Sequence, residues 1–283
     1  MLKVICVIGH GSNLIRHYIN HYLDFYVDEI NFVVYESDVH PNLKEEIQGE
    51  IEKTEKAKII EVVYDRIFDW ERVTKLYNKF TMEEPDTWWI VADIDEFHLY
   101  PIQPRKIATD CETNGWEIVR GGFIDRIGEN GEFPDIKSDE NIFNTFPLAG
   151  FFRYPLSNAC PNKICIKKGS IEMTSGQHYA KINTHTTWGW QGWSNPLIAP
   201  IDEYSVQVHH FKWDSTCLAR IKAVADVKKE YSFSDEYKIM YDAIIKNGSR
   251  IDVKNPEFMF ISHPFHYHHY KHWKKLIKKI ITI

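Results

Sequence analysis

Over the first hundred residues, short apolar runs alternate with segments whose apolar positions recur at helical spacing. The runs are Leu2 to Ile8, Ile30 to Tyr35, Ala57 to Tyr64 and Thr87 to Ala92, each of strand length and suited to a strand buried in a parallel sheet. After the first run, Leu14, Ile15, Tyr18, Ile19, Tyr22 and Leu23 share one helical stripe, with Ser12 placed to cap it. Pro41 to Thr54 reads as a polar helix, and a further helix capped by Asp69 turns Val73, Leu76, Tyr77 and Phe80 inward. Repeated βα units of this kind predict a doubly wound α/β sheet whose binding crevice lies outside the carboxyl ends of its strands.

The alternation stops near Trp116. A strand-like stretch from Trp116 to Ile124 is followed by a turn at 128–132 and then by segments rich in Pro, Gly and Trp as far as Pro200, which read as loops that elaborate a binding face. Val206 to Trp213 precedes two helical patterns, one with Leu218, Ile221, Val224 and Val227 on a face, the other with Tyr237, Met240 and Ile244 before a stop at Gly248. The expected organisation is a main domain over 1–213, divided into halves 1–100 and 101–213, with a helical extension over 214–283. At residues 272–283, Trp273, Leu276, Ile277, Ile280 and Ile281 face one way and Lys274, Lys275, Lys278 and Lys279 the other. Such an amphipathic basic helix suits peripheral contact with a membrane, docking on its own domain, or docking on another subunit.

Composition narrows the class. With 34 Lys and Arg against 40 Asp and Glu, the net charge of −6 offers no basic footprint for nucleic acid. Five scattered cysteines form no CxxC pair, so neither a disulfide framework nor a zinc knuckle is indicated. The first apolar run lacks the form of a secretory leader, and no segment reaches the length of a membrane span, so the expected location is cytoplasmic, with the tail leaving peripheral membrane association open.

The main chemical signal is Asp93-Ile94-Asp95-Glu96, at the end of the fourth apolar run. Three carboxylates at the edge of a sheet repel one another unless a cation or polar ligand offsets them, and a hard divalent ion bridging a diphosphate would do so. Candidate nucleotide contacts lie at the tips of the earlier strands: Gly9 in the turn Gly9-His10-Gly11, Glu36 after the second strand and Asp65 after the third. Asp125, at a predicted strand end, and then Asp135 are the candidates for a general base; a local ion pair with Arg126 is the bland reading of Asp125. In Thr187 to Trp193 three indoles are spaced by glycine, as in a surface for sugar rings or in a core beneath loops; Trp190 is the one named for stacking. The histidines from His263 to His272 match no zinc spacing and read as an aromatic, polar linker.

Taken in chain order, His21-Tyr22 through Val27-Asp28, Asp93-Ile94-Asp95-Glu96-Phe97, Phe123-Ile124-Asp125-Arg126-Ile127, Gly176-Gln177-His178 and His209-His210-Phe211-Lys212-Trp213 resemble GT-A glycosyltransferases of the family 2 and family 92-like type. The resemblance covers roughly residues 1 to 225 and departs from its pattern at Phe25-Tyr26, where a small or glycine-containing turn is usual. It implies a GT-A fold, Rossmann-like and mostly parallel with flanking helices, and an inverting transfer of a sugar from a nucleotide-diphosphate sugar to a carbohydrate acceptor. By the same resemblance Asp93 faces the ribose or the metal shell, Asp95 binds Mn²⁺ or Mg²⁺, His178 lies near the site, and His210 completes the metal set with His209 in reserve. The donor would be a UDP-sugar first, a GDP- or dTDP-sugar otherwise. Because neighbours on a strand point to opposite faces, one of His209 and His210 should be structural. A nucleotidyltransferase or metal-dependent phosphohydrolase is the competing enzyme class, and a carbohydrate-binding protein without catalysis the competing non-enzyme.

Overall fold

The computed structural model describes residues 1–150, 156, 160, 162–182, 185–186, 195–227 and 234–252. The expected sugar-stacking indoles at 188–193, Trp190 among them, the histidine-rich linker and the basic tail lie outside the described residues. In chain order the elements are β1 (Leu2–Ile8), α1 (Ile15–Leu23), β2 (Glu29–Glu36), α2 (Leu43–Ile51), β3 (Ala57–Tyr64), α3 (Trp70–Met82), β4 (Trp88–Val91), β5 (Glu96–Leu99), α4 (Pro104–Asn114), β6 (Ile118–Ile127), α5 (Ile142–Thr145), β7 (Leu148–Gly150), β8 (Asn162–Lys168), β9 (Glu172–Met173), β10 (Ala180–Ile182), β11 (His185–Thr186), α6 (Ile201–Tyr204), β12 (Val206–His210), α7 (Cys217–Asp226) and α8 (Ser234–Lys246).

The chain divides into two compact units, one of 1–122 with 161–208, the other of 123–160 with 209–283. In the first, β1 and β4 are buried from end to end and β2 everywhere but its terminal Glu29 and Glu36; the three pair in parallel, with β3 on the far side of β2. Their sheet runs β3-β2-β1-β4-β8-β6-β12-β5. The expectation of a mostly parallel sheet holds for the four strands of the βα series and fails beyond β4, where β8 pairs antiparallel with both β4 and β6. The fold is mixed α/β, partly parallel, with helices at its C-terminal end.

Strand β8 falls within the stretch whose composition reads as loop. It occupies the middle of the sheet although it carries Asn162, Lys163 and Lys167, all buried. Gly121 on β6 is required by its neighbours, since a Cβ there would lie 2.3 Å from the Val206 carbonyl oxygen and 2.7 Å from Cys165 Sγ. The core of this unit joins Ile5, Val33, Trp89 and Val91 from the sheet to Val73, Leu76 and Tyr77 of α3, the inward stripe expected for that helix. Asp69 caps α3 as expected, Oδ1 accepting from Glu71 N at 2.8 Å. Ser12 does not cap α1: the chain passes through a left-handed Gly11 and a 3₁₀ turn over Ser12–Leu14 before the helix begins. At the departure from the family pattern, Tyr26 adopts φ 55 and is well exposed, so a tyrosine takes the left-handed position that a glycine would occupy more easily.

Among the described residues no carboxylate meets Lys167. Its Nζ donates to Thr81 Oγ1 and Ile171 O, both at 2.8 Å, with Lys168 O and Gly169 O at 3.3 and 3.4 Å. This joins the end of α3 to the turn after β8. Burial pushes its pKa down to about 7. The unfolded chain, with an ordinary lysine near ~10.4, binds the proton more tightly. Between about 7 and ~10.4 the unfolded state therefore holds more protons, and stability rises with pH across that window. Urea unfolding of the wild type and of Lys167→Met from pH 7 to 10 checks this. The wild type should gain stability relative to the variant as pH rises, and parallel curves would refute the depressed lysine.

In the second unit, Ile127, Leu156 and Trp213 pack with Cys217 and Ile221 of α7 and with Met240 and Ile244 of α8. Helix α8 ends before a left-handed Gly248, φ 78, as the sequence predicts. Among the described residues no helix is long and apolar enough to cross a membrane.

Candidate functional site

Strand β4 delivers Asp93, Asp95 and Glu96 to the carboxyl end of the parallel series, and three tyrosines from the flanking helices hold that segment in place. Tyr18 donates to the Ala92 carbonyl at 3.0 Å, the Tyr77 hydroxyl oxygen lies 3.2 Å from the same carbonyl oxygen, and Tyr22 donates to the Glu96 carbonyl at 2.9 Å. All three rings are fully buried. The helical stripes read from the sequence thus anchor the acidic turn as well as forming core.

A cation is built into the site. Lys163 on β8, 2% exposed, places Nζ 2.8 Å from Glu96 Oε1 and 3.2 Å from Asp93 Oδ2. It also lies 2.7 Å from Gln177 Oε1 and 3.1 Å from the Gly176 carbonyl oxygen. Lysine 163 therefore ties the acidic motif to Gly176-Gln177-His178, two segments that the sequence singled out separately. Burial alone would lower this ammonium's pKa; Asp93 and Glu96 outweigh burial and hold it above its ordinary value. Sequence reasoning missed Lys163, since nothing in Asn162–Lys168 marks one lysine as facing a carboxylate 70 positions earlier.

Asp93 is the accessible member of the group. Its Oδ1 accepts from Tyr77 O–H at 2.8 Å and its Oδ2 faces Lys163, with the side chain 30% exposed against 1% for Glu96. Burial raises its pKa most; Lys163 opposes this, while Glu96 and Asp95 add to it. Glu96 Oε2 also accepts from the Asp93 amide at 3.3 Å, and Asp95 is buried. His98 is fully buried, its Nδ1 3.0 Å from Tyr100 Oη and its Nε2 3.9 Å from Glu96 Oε2. Burial, reinforced by Lys163, pushes it down to about 3, so it stays neutral at ordinary pH. Burial likewise lowers His178 to about 4; its Nδ1 lies 2.8 Å from the Asn162 carbonyl oxygen. His178 is thus set beside the Lys163 strand.

The remaining nucleotide candidates have local partners. Glu36 Oε1 accepts from the Lys44 amide at 3.1 Å, in the first turn of α2. Asp65 Oδ2 accepts from Tyr35 O–H at 2.5 Å and pairs with Arg72, which together hold its carboxyl below the usual range, the tyrosine bond first. At Gly9 a Cβ would come within 2.0 Å of the Phe68 ring, so the glycine is needed for close approach; Gly11, at φ 77, supplies the left-handed turn.

In the second unit Asp125 and His210 come together, 85 positions apart in the chain. Asp125 Oδ1 lies 3.0 Å from His210 Nδ1 and accepts from Trp213 Nε1–H at 3.1 Å. The alternative ion pair with Arg126 gives way to other bonds: Arg126 donates to the carbonyls of Phe146 and Phe143 at 2.9 and 3.1 Å. His209 is 2% exposed and meets Phe143 edge-on, while the His210 side chain is 19% exposed, so the two neighbours divide as alternation on a strand predicts. Asp135 is exposed on its loop.

No known family's sequence pattern matches this chain, and no curated protein does. Solved structures similar to it include one described as a glucose-1-phosphate thymidylyltransferase from Bacillus anthracis in complex with a sucrose. It has a TM-score of 0.32 and 9% identity over 88% of this chain and 85% of that one. A mannose-6-phosphate isomerase from Helicobacter pylori matches at 0.29 and 20% identity over 48% of this chain and 58% of its own, and HddC from Yersinia pseudotuberculosis at 0.30 and 10% over 48% and 64%. The chain spans less than two thirds of the latter two. At these scores the functional reading rests on the chain's own residues.

Proposed function

We propose that this chain is a glycosyltransferase that takes its sugar from a nucleotide-diphosphate donor, with Asp93 and Asp95 at the donor's diphosphate and ribose. The observation that carries the reading is the acidic strand end braced from beneath by buried Lys163. An ammonium bonded to Glu96 and Asp93 removes part of the mutual repulsion and leaves the exposed edge of Asp93 to meet a ligand.

The formal charge of this group supports a divalent ion. Asp93, Asp95 and Glu96 against Lys163 give 3 − 1 = 2 net negative charges, His98 and His178 being neutral. Hard carboxylate oxygens suit Mg²⁺ or Mn²⁺. Among the described residues no three His, Cys, Asp or Glu side chains form a cage for a metal. Two carboxylates fit the manner in which Mg²⁺ is commonly held, through one or two acidic side chains with substrate phosphates completing the shell. Asp93 and Asp95 would hold the ion jointly with the donor. When bound, it would offset charge on the leaving diphosphate.

Calorimetry of UDP, GDP and dTDP with the purified chain tests the reading, first with Mn²⁺ and then with EDTA. One nucleotide should bind with Mn²⁺ and lose at least ~10-fold in affinity with EDTA, a change of ~1.4 kcal/mol; Mn²⁺ without nucleotide should bind weakly. The absence of binding by all three, or affinity indifferent to EDTA, would refute the metal-bridged donor site.

A further inference from the structure

The geometry points to Asp125 as a positioning residue that selects the tautomer of His210, rather than as the group that itself meets the acceptor hydroxyl. This deepens the transferase reading and rests on it for its functional consequence. An ionised carboxylate only accepts hydrogen bonds. The oxygen facing His210 Nδ1, Oδ1, is also the one that accepts from the Trp213 indole, so the hydrogen on the 3.0 Å contact belongs to the imidazole. A neutral imidazole that carries its hydrogen on Nδ1 holds its lone pair on Nε2.

The surroundings make that choice rigid. Asp125 is 5% exposed and Trp213 1%, and the His210 ring packs on Phe123 with centroids 4.9 Å apart and planes 38° apart. A buried carboxylate bound to one imidazole nitrogen is the usual way a protein aims the other at an electrophile, whether a cation or a hydroxyl proton. Asp125 already spends one oxygen on two donors inside the unit, whereas His210 is the more exposed partner. The base role that strand position alone assigns to Asp125 therefore passes to a pair in which His210 Nε2 is the working atom.

The test reads the tautomer directly. Long-range ¹H–¹⁵N NMR correlation on the full chain with labelled histidine, with His210 assigned through His210→Gln, distinguishes Nδ1–H from Nε2–H. The wild type should show Nδ1–H. In Asp125→Leu, which keeps the approximate shape and removes the acceptor oxygen shared by His210 Nδ1 and Trp213 Nε1, His210 should lose its Nδ1–H preference and show Nε2–H, with turnover falling ~10²- to 10⁴-fold as for other carboxylate-oriented histidines. Circular dichroism and thermal unfolding of the variant establish that it is folded. An Nε2–H tautomer in the wild type, or an unchanged tautomer in folded Asp125→Leu, would overturn the assignment. A wild-type protein without transferase activity would sink the functional reading alone, because the tautomer measurements still decide what Asp125 does to His210.

Discussion

Replacement of Lys163 by methionine should destabilise the protein by ~3–5 kcal/mol, the cost of removing one partner from a buried ion pair and leaving the other charge uncompensated. Glu96 is 1% exposed, and the 2.8 Å contact with Lys163 is its ionic partner in this network. Without the ammonium, Glu96 and Asp93 face each other across a poorly solvated site, and the Gln177 side-chain oxygen and Gly176 carbonyl lose a donor. A second substitution separates charge from packing. In Lys163→Met/Glu96→Gln the stranded carboxylate becomes neutral, so much of the loss should be recovered even though more native groups have been removed. Urea unfolding of the single and double variants measures this. A loss below ~1 kcal/mol in the single variant, or a double variant whose losses simply add, would show that Lys163 does not neutralise the site.

The largest functional effect is expected at Asp95. Asp95→Ala should lower metal-dependent turnover ~10³-fold, equivalent to ~4 kcal/mol of transition-state stabilisation, because one of the two carboxylates proposed for the ion is gone. Folding stability should stay within ~2 kcal/mol of the parent, since removal of one of several clustered like charges relieves repulsion while the tyrosine bonds to Ala92 and Glu96 remain. Asp95→Asn, which preserves volume, separates loss of charge from loss of packing and should be nearly as inactive. Steady-state rates against Mn²⁺ concentration, together with thermal unfolding, make the comparison. Turnover within ~10-fold of the parent at saturating Mn²⁺ would remove Asp95 from the metal site.

Pattern reasoning recovers the βα series well because each of its elements is declared locally. Ala57–Tyr64 matches its predicted strand residue for residue, α3 begins at its Asp69 cap, and the inward stripe of that helix is the one in the core. Pattern reasoning fails at β8 for an identifiable reason. A central strand is expected to be apolar, whereas this one buries two lysines whose compensation comes from elsewhere: carboxylates on the β4–β5 turn for Lys163, a hydroxyl and carbonyls for Lys167. Buried cations read as surface residues until their partners are known.

The candidate sites divide along the same line. Asp93, Asp95 and Glu96 stand out in sequence because they are adjacent and follow an apolar strand, and Asp125 and His210 stand out as separate candidates. Their amino-acid sequence by itself determined the βα alternation, the acidic strand end and the absence of a basic footprint, all properties of neighbouring residues. Only the tertiary structure decided that Lys163, 70 positions away, is the counter-charge beneath Asp93, and that Asp125 and His210, 85 positions apart, share a hydrogen bond. The reason is physical: hydrophobic periodicity is written in local spacing, whereas the energy of a buried charge depends on which distant groups the sheet brings within about 3 Å of it.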